Sequence, residues 1–261
     1  MQRQLRNVPA AWIVLWSIAA ASMQLTTLSH ELVNRLLPPA GAHLFGFDAF
    51  GRDLLMLTLR ASFVSILFAS FATALSCILA LGIGCAVALL PNRIRFPFLR
   101  LLEAFLAFPS LLFSLLLAAV LGPGWTTLSA ALLIGIAPGM VRLVYVRSRE
   151  LLAEDYIVAA KSLGAPPLSI IRRHLFPAAA SLCAVKTPNL FAQALIAEAT
   201  LTFLGIGAPY AQDTWGSLLA QGKEYLIEAP HVALGSGLPL VLTALSLQLL
   251  TQKLSGYRAQ V

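Results

Sequence analysis

The chain alternates long apolar runs with short charged segments. The first uncharged run lies between Arg6 and Glu31 and has an apolar core at residues 10–28, and the second covers residues 61–92 and is closed by Pro91. About 20 consecutive apolar residues cross the hydrocarbon core of a bilayer as a helix. The pattern therefore predicts membrane-spanning helices at residues 10–28 and 62–90.

Four further spans follow from the same pattern. The stretch between Glu103 and Arg142 carries no charge and is too long for one helix, and the turn sequence Gly122-Pro123-Gly124 divides it. This predicts helices at residues 99–121, 126–146, 178–204 and 231–250. The whole chain, residues 1–261, is therefore expected to form one all-α polytopic membrane domain of about six helices.

Composition supports a membrane protein. Hydrophobic residues make up 59% of the 261 residues, charged residues 11%, and the mean hydropathy is +0.83, which leaves too little polar surface for a soluble domain. The first run also fits a signal peptide, but it exceeds the usual 7 to 15 apolar residues of such signals, so an uncleaved helix is favoured. Cys77, Cys85 and Cys183 lie in apolar segments and are interpreted as buried thiols.

The basic residues predict an orientation. Of the 18 Lys and Arg residues, 13 lie at the two termini or in alternate loops. The remaining loops hold Arg35, Arg52, Arg60 and Lys223, and Lys186 lies within a span. Because positive charge accumulates on the cytoplasmic side, both termini and residue 165 are predicted to be cytoplasmic and residue 213 periplasmic. The net charge of +7 thus reflects topology and not nucleic-acid binding, and a carboxylate in an outer loop is expected to be simply solvated.

No catalytic, metal or cofactor site is predicted. A glycine-rich phosphate loop followed by Lys and Ser or Thr is absent, and the four histidines are scattered without a zinc or hydrolase pattern. Gly82 and Gly205 belong to short glycine pairs that suit helix packing better than nucleotide binding.

The longest cytoplasmic segment, residues 147–177, is called the inner loop below. Its sequence predicts a helix from Leu151 to Leu163, a left-handed turn at Gly164, and a second short helix from Leu168 to His174. A compact protein-docking element and an amphipathic segment lying on lipid headgroups are equally compatible with this pattern.

A family resemblance bears on that choice. The inner loop, with YIVAAKSLG at residues 156–164 and RHLFP at residues 173–177, resembles the EAA loop of permease subunits from bacterial ABC importers. The resemblance implies a type I importer membrane fold, called MetI-like, and docking of the loop on separate ATPase subunits that bind ATP and Mg. The implied docking residues are Asp155, Tyr156, Ala159, Ala160, Lys161, Gly164, Arg172 and Arg173.

Blocks outside the loop resemble the C-type subunit of dipeptide, oligopeptide and nickel permeases. They are LFGFDAFGRD at residues 44–53, Glu103 followed by FPS at residues 108–110, EATLTFLGIG at residues 198–207, and WG at residues 215–216. This implies a bacterial inner-membrane protein that pairs with a second permease subunit, two ATPases and a periplasmic or lipid-anchored solute-binding protein. Peptides are the first expected cargo and a nickel or metal chelate the second.

The chain departs from the family pattern at a few positions. Val158 replaces the Glu of the EAA motif, Glu103 replaces Asp, Phe176 replaces Leu, and Phe63 stands at a position that is usually basic. Docking geometry is expected to survive these changes, whereas an ion pair of the motif Glu does not carry over.

The rival hypothesis is an ion-gradient-driven secondary transporter. Intramembrane ionisable residues are functional candidates, and Glu103, Lys186 and Glu198 would then serve as relay groups. For an ABC permease the same three residues are candidates for the translocation path, with Lys186 either reaching the inner headgroups or meeting Glu103.

Overall fold

The described part of the chain is almost entirely helical. The computed structural model describes residues 8–22, 32–207 and 213–258. The helices in these ranges are α1 (Val8–Ser22), α2 (Leu54–Leu89), α3 (Asn92–Ala107), α4 (Ser110–Leu121), α5 (Trp125–Leu151), α6 (Asp155–Ser162), α7 (Pro167–Phe203), α8 (Trp215–Glu224) and α9 (Pro230–Arg258). Helices α2 and α7 each contain one π-helical turn, at Ala80–Gly84 and Ile171–Leu175.

The helices confirm an all-α polytopic membrane protein. Helices α2, α5, α7 and α9 are each long and apolar enough to cross a membrane, and α3 with α4 adds a fifth span if the bent pair is counted as one. The predicted number of six is not reached in the described ranges. Helix α1 has 15 residues there, and the rest of the predicted first span lies outside the described residues.

The prediction of one continuous third helix at residues 99–121 is wrong. Helix α3 ends at Ala107, α4 starts at Ser110, and the two are bent by 89°. The cause is Pro109, which lacks an amide donor and forces Phe108 into an extended conformation with φ −84° and ψ 132°. Gly122, at φ 78°, then ends α4.

Two other helices start earlier in the sequence than predicted. Helix α2 begins at Leu54 and not near residue 62, because the Asp53 carboxylate accepts a hydrogen bond from the Met56 amide at 3.0 Å and caps the helix. Arg60 therefore lies within a helix and not in a loop. The helix predicted from residue 178 begins at Pro167, so the last part of the inner loop is the first three turns of α7.

Helix α7 lies in the middle of the bundle and contacts α2, α5, α8 and α9. Close helix approach depends on small residues: a Cβ on Gly84 of α2 would lie 2.8 Å from a Val144 methyl group of α5. At one end of the bundle α6 joins the start of α7. At the opposite end, residues 32–53 cover the starts of α2 and α9 and are called the outer segment.

Candidate functional site

The inner loop contains a tight helix-turn-helix. Gly164 has φ +84°, as predicted, and the Gly164 and Ala165 amides donate to the carbonyl oxygens of Lys161 at 2.9 Å and Ala160 at 3.1 Å. This pair of hydrogen bonds is a Schellman motif, which satisfies the last carbonyl groups of α6. Pro166 is extended and Pro167 opens α7, so the chain reverses within four residues of the end of α6.

Two details of the predicted loop are wrong. Its first helix starts at Asp155 and not at Leu151, because residues 152–154 form a turn after α5 and Glu154 is extended at ψ 140°. Its second helix does not stop at His174. Pro177 has no amide to donate, and the π-helical turn at Ile171–Leu175 carries the helix past it into the membrane.

Three buried side chains anchor the loop to the bundle. Ile157 and Leu175 have no exposed surface and Ile170 is 3% exposed. The Tyr156 and His174 rings lie 5.6 Å apart and connect α6 with α7. The loop therefore has a fixed orientation on the bundle, and its remaining side chains form a defined outer surface.

That surface carries several exposed apolar side chains. Leu163 is 89% exposed and Leu168 is 73% exposed, and Tyr156, Val158 and Phe176 are about half exposed. Ala159 is exposed and Ala160 is half-buried. Asp155, Lys161, Arg172 and Arg173 are also exposed, so the eight predicted docking residues all lie on this short helix-turn-helix. The predicted set omitted Leu163 and Leu168, which their apolar character beside the turn marks as candidates.

The three intramembrane candidates do not come together. Glu103 is exposed and pairs with Arg100 at 3.1 Å, one turn earlier in α3. Lys186 is half-buried in α7 and forms no ion pair with Glu103, so of its two predicted placements the contact with Glu103 is not formed. Glu198 is fully buried in α7. A shared relay is therefore not formed by these residues.

The outer segment holds a polar network that sequence reasoning missed. Asp48 is 1% exposed, and its carboxylate accepts hydrogen bonds from the Phe50 and Arg52 amides at 2.9 and 2.8 Å. The Arg52 guanidinium bonds Asp48 at 2.6 Å and reaches Asp213, just before α8, at 3.2 Å. The expectation of solvated outer carboxylates is therefore wrong for Asp48. The sequence signal for this network is the block at residues 44–53, whose Gly, Asp and Arg residues contribute to the family resemblance.

Comparison with known proteins identifies the class. A family model described as "Binding-protein-dependent transport system inner membrane component" matches residues 78–256. The chain belongs to this family. This match includes the inner loop and helices α5 to α9, so the loop belongs to an ABC-type transport permease, and the chain works as one component of a multi-component transporter.

Named relatives point to peptides. A putative peptide transport system permease protein of Brucella suis is 36% identical over 94% of this chain and 80% of its own length. A probable D,D-dipeptide transport system permease protein of Escherichia coli is 32% identical over 84% of this chain and 74% of its own length. A dipeptide transport system permease protein of Alkalihalophilus pseudofirmus is 30% identical over 83% and 71%. These relatives support neither nickel nor the secondary transporter.

Proposed function

We propose that the chain forms half of a peptide translocation pathway in a bacterial inner membrane, with the inner loop docked on an ATP-hydrolysing subunit. The family membership supports a permease role. The observation that carries the docking assignment is the rigid, exposed apolar surface of α6 and the start of α7. An exposed surface of this kind marks an interaction site when it belongs to a fixed structure.

The alternative position for this surface is the lipid headgroup layer. Arg172 and Arg173 suit either environment, but the shape of the loop favours a protein. Leu163 projects at the reversal between two helices, and Ala159 leaves the adjacent helix face without bulk. A side chain that projects beside a flat face of small residues fits a cleft in a protein better than it fits the planar lipid surface.

The proposed assembly contains a second, related permease subunit, two ATPase subunits that bind ATP and Mg, and a solute-binding protein outside the membrane. ATPase closure would move the inner loop and rock the membrane helices between inward-open and outward-open states, a rigid-body change.

The charge distribution supports cytoplasmic termini. Alkaline phosphatase fusions at residues 165 and 213 test this orientation, and phosphatase activity should be high only at residue 213.

A large side chain on the exposed face of α6 tests the docking assignment. Ala159→Trp should leave membrane insertion intact, because Ala159 is exposed in the chain itself. Its indole ring should, however, prevent α6 from entering the ATPase cleft. The matched control is Ala42→Trp, an exposed alanine of the outer segment. Co-purification of the ATPases and uptake of labelled dipeptides should both fall at least about tenfold for Ala159→Trp only, the effect of losing roughly 1.4 kcal/mol of binding free energy. Normal uptake with bound ATPases in that variant would overturn the docking assignment.

A further inference from the structure

Helix α3 packs only loosely against the rest of the bundle. Within the described structure, Leu102 is the one buried residue among its 16, whereas Ile94, Phe96 and Leu101 are each more than half exposed. An open cavity of about 260 Å³ remains between α3, α5 and the end of α2 that contains the π-helical turn. The helices therefore leave a gap that their own side chains do not fill.

We call this cavity the side groove, and its walls are apolar and bulky. They include Ile83 of α2, Phe98, Leu102 and Phe105 of α3, and Pro138 and Val141 of α5. Interfaces between membrane helices instead favour small residues that let two backbones approach closely, as Gly84 does where α2 meets Val144 of α5. Large apolar side chains around an open groove thus suit a flexible acyl chain better than another helix.

The side groove begins at the edge of the membrane that faces the inner loop. Its α5 wall runs from Leu133 to Val141, about 12 Å, and Arg142, the first charged residue of α5, follows directly. Near the end of α5, the Arg149 guanidinium donates to the Ala88 carbonyl oxygen at 3.3 Å, so α3 starts on the side where α5 ends. One leaflet has a hydrocarbon depth of about 15 Å. The groove therefore matches most of one leaflet in depth.

Two arginines flank the end of the side groove that is nearest the inner loop. Arg142 follows Pro138 by four positions in α5, and Arg95 precedes Phe98 by three positions in α3. Residues at these spacings share a helix face. One guanidinium therefore continues each wall of the groove, at the level where lipid headgroups start.

Neither of these arginines pairs with a carboxylate among the described residues. Arg95 is half-buried and donates to the Asn92 side-chain oxygen, and Arg142 is exposed. By contrast, Arg100 on another face of α3 is neutralised by Glu103. Guanidinium groups bind phosphate strongly, and basic pockets between membrane helices take anionic lipid headgroups. The apolar groove and the two positive charges together have the chemistry of an anionic phospholipid site.

We propose that the side groove binds an anionic phospholipid of the leaflet nearest the inner loop, with an acyl chain in the groove and the phosphate held by Arg95 and Arg142. The bound lipid fills the gap between α3 and the bundle. This inference is independent of the cargo and of ATPase docking. Only the assignment of this leaflet to the cytoplasmic side rests on the orientation proposed above.

Photo-labelling with lipid probes tests the proposal. The transporter is purified from cells that express all its subunits and is reconstituted in phosphatidylethanolamine vesicles. These contain a trace of phosphatidylglycerol or phosphatidylcholine, each with the same diazirine-carrying acyl chain. Phosphatidylglycerol should label residues 98–105 and 133–141 several-fold more than phosphatidylcholine does. Arg142→Gln should lower that labelling about fivefold, and Arg95→Gln with Arg142→Gln about thirtyfold, the factors for about 1 and 2 kcal/mol.

The matched control is Arg93→Gln with Arg147→Gln. These changes remove the same charge from α3 and α5, but the two residues lie two and five positions from Arg95 and Arg142 and so on other helix faces. Labelling should not change in this control. Leu101→Trp, at the exposed rim of the groove, should lower labelling without loss of charge because the indole ring occupies the groove.

Two results would overturn the proposal. Equal labelling by both probes, with no change in the Arg95 and Arg142 variants, would mean ordinary annular lipid. An unlabelled groove, with a photoreactive residue at Leu101 crosslinked to the second permease subunit, would assign the groove to a protein contact. If the double variant does not assemble, Arg142→Gln decides alone. The phosphatase fusions and ATPase retention test the proposed function separately, and their failure would leave groove labelling unchanged.

Discussion

The two ends of the bundle satisfy their side chains in opposite ways. The outer segment places its polar and charged groups against one another and against Asp213: Asp48 pairs with Arg52, Arg52 with Asp213, and Asp53 with His43 at 2.5 Å. The inner loop buries only the apolar anchors that fix it to the bundle and leaves Leu163 and Leu168 largely exposed. The outer segment is thus held mainly by polar contacts, although Val33 and Leu44 remain exposed, whereas the inner loop is held by apolar anchors and has a surface that another molecule is expected to complete.

Breaking the polar network of the outer segment is expected to have the largest effect on the free energy of unfolding. Asp48→Ala leaves the Arg52 guanidinium without its shortest partner in a site where its side chain is 13% exposed. Removing one member of a buried ion pair costs about 4 kcal/mol. We expect the free energy of unfolding in detergent to fall by about that amount. A loss below about 1 kcal/mol, the value of an exposed pair, would show that the network is not structural.

Two glycines at the opposite ends make a matched comparison. Gly46 has φ +74°, and a Cβ there would lie 2.5 Å from the Leu37 carbonyl oxygen, whereas Gly164 has φ +84° and open space around the added carbon. Gly46→Ala should destabilise the chain by about 3 kcal/mol through strain and overlap, and Gly164→Ala by about 1 kcal/mol through strain alone. Equal losses in chemical unfolding would contradict the contrast between the two ends.

The smallest expected effect on stability is at the inner loop. Leu163→Ser and Leu168→Ser remove exposed apolar groups, so unfolding should change by no more than about 0.5 kcal/mol. ATPase retention should nevertheless fall in both variants. Val158→Ala, a half-exposed position where the family motif has Glu, should have a milder effect on retention. Reduced stability in Leu163→Ser with unchanged retention would mean that the surface packs against the chain itself.

Regularly spaced apolar runs explain why much of the fold was predictable. The hydrocarbon thickness sets the length of each run. Gly164 fits the left-handed turn because it has no Cβ, and Pro166 and Pro167 mark the start of the next helix. These are local constraints, so they can be recognised in a short window of sequence.

The missed features depend on contacts between distant parts of the chain. Pro109 bends the third predicted span by 89°, and a proline alone does not specify the size or direction of a bend. Asp48 is buried beside Arg52, whose guanidinium also reaches Asp213 just before α8, and Ser65 meets Trp215 across 150 positions. A contact between Lys186 and Glu103 follows from span order alone, which does not fix how helices face each other.

Site-specific photo-crosslinking from the two ends most directly tests whether the inner loop is the docking surface. A photoreactive amino acid is placed at Leu163 of the inner loop or at Ile227 of the turn before α9, side chains that are 89% and 98% exposed. In cells that express the whole transporter, Leu163 should crosslink to an ATPase subunit and Ile227 should not. Absence of an ATPase product from Leu163, or equal products from both positions, would contradict the account.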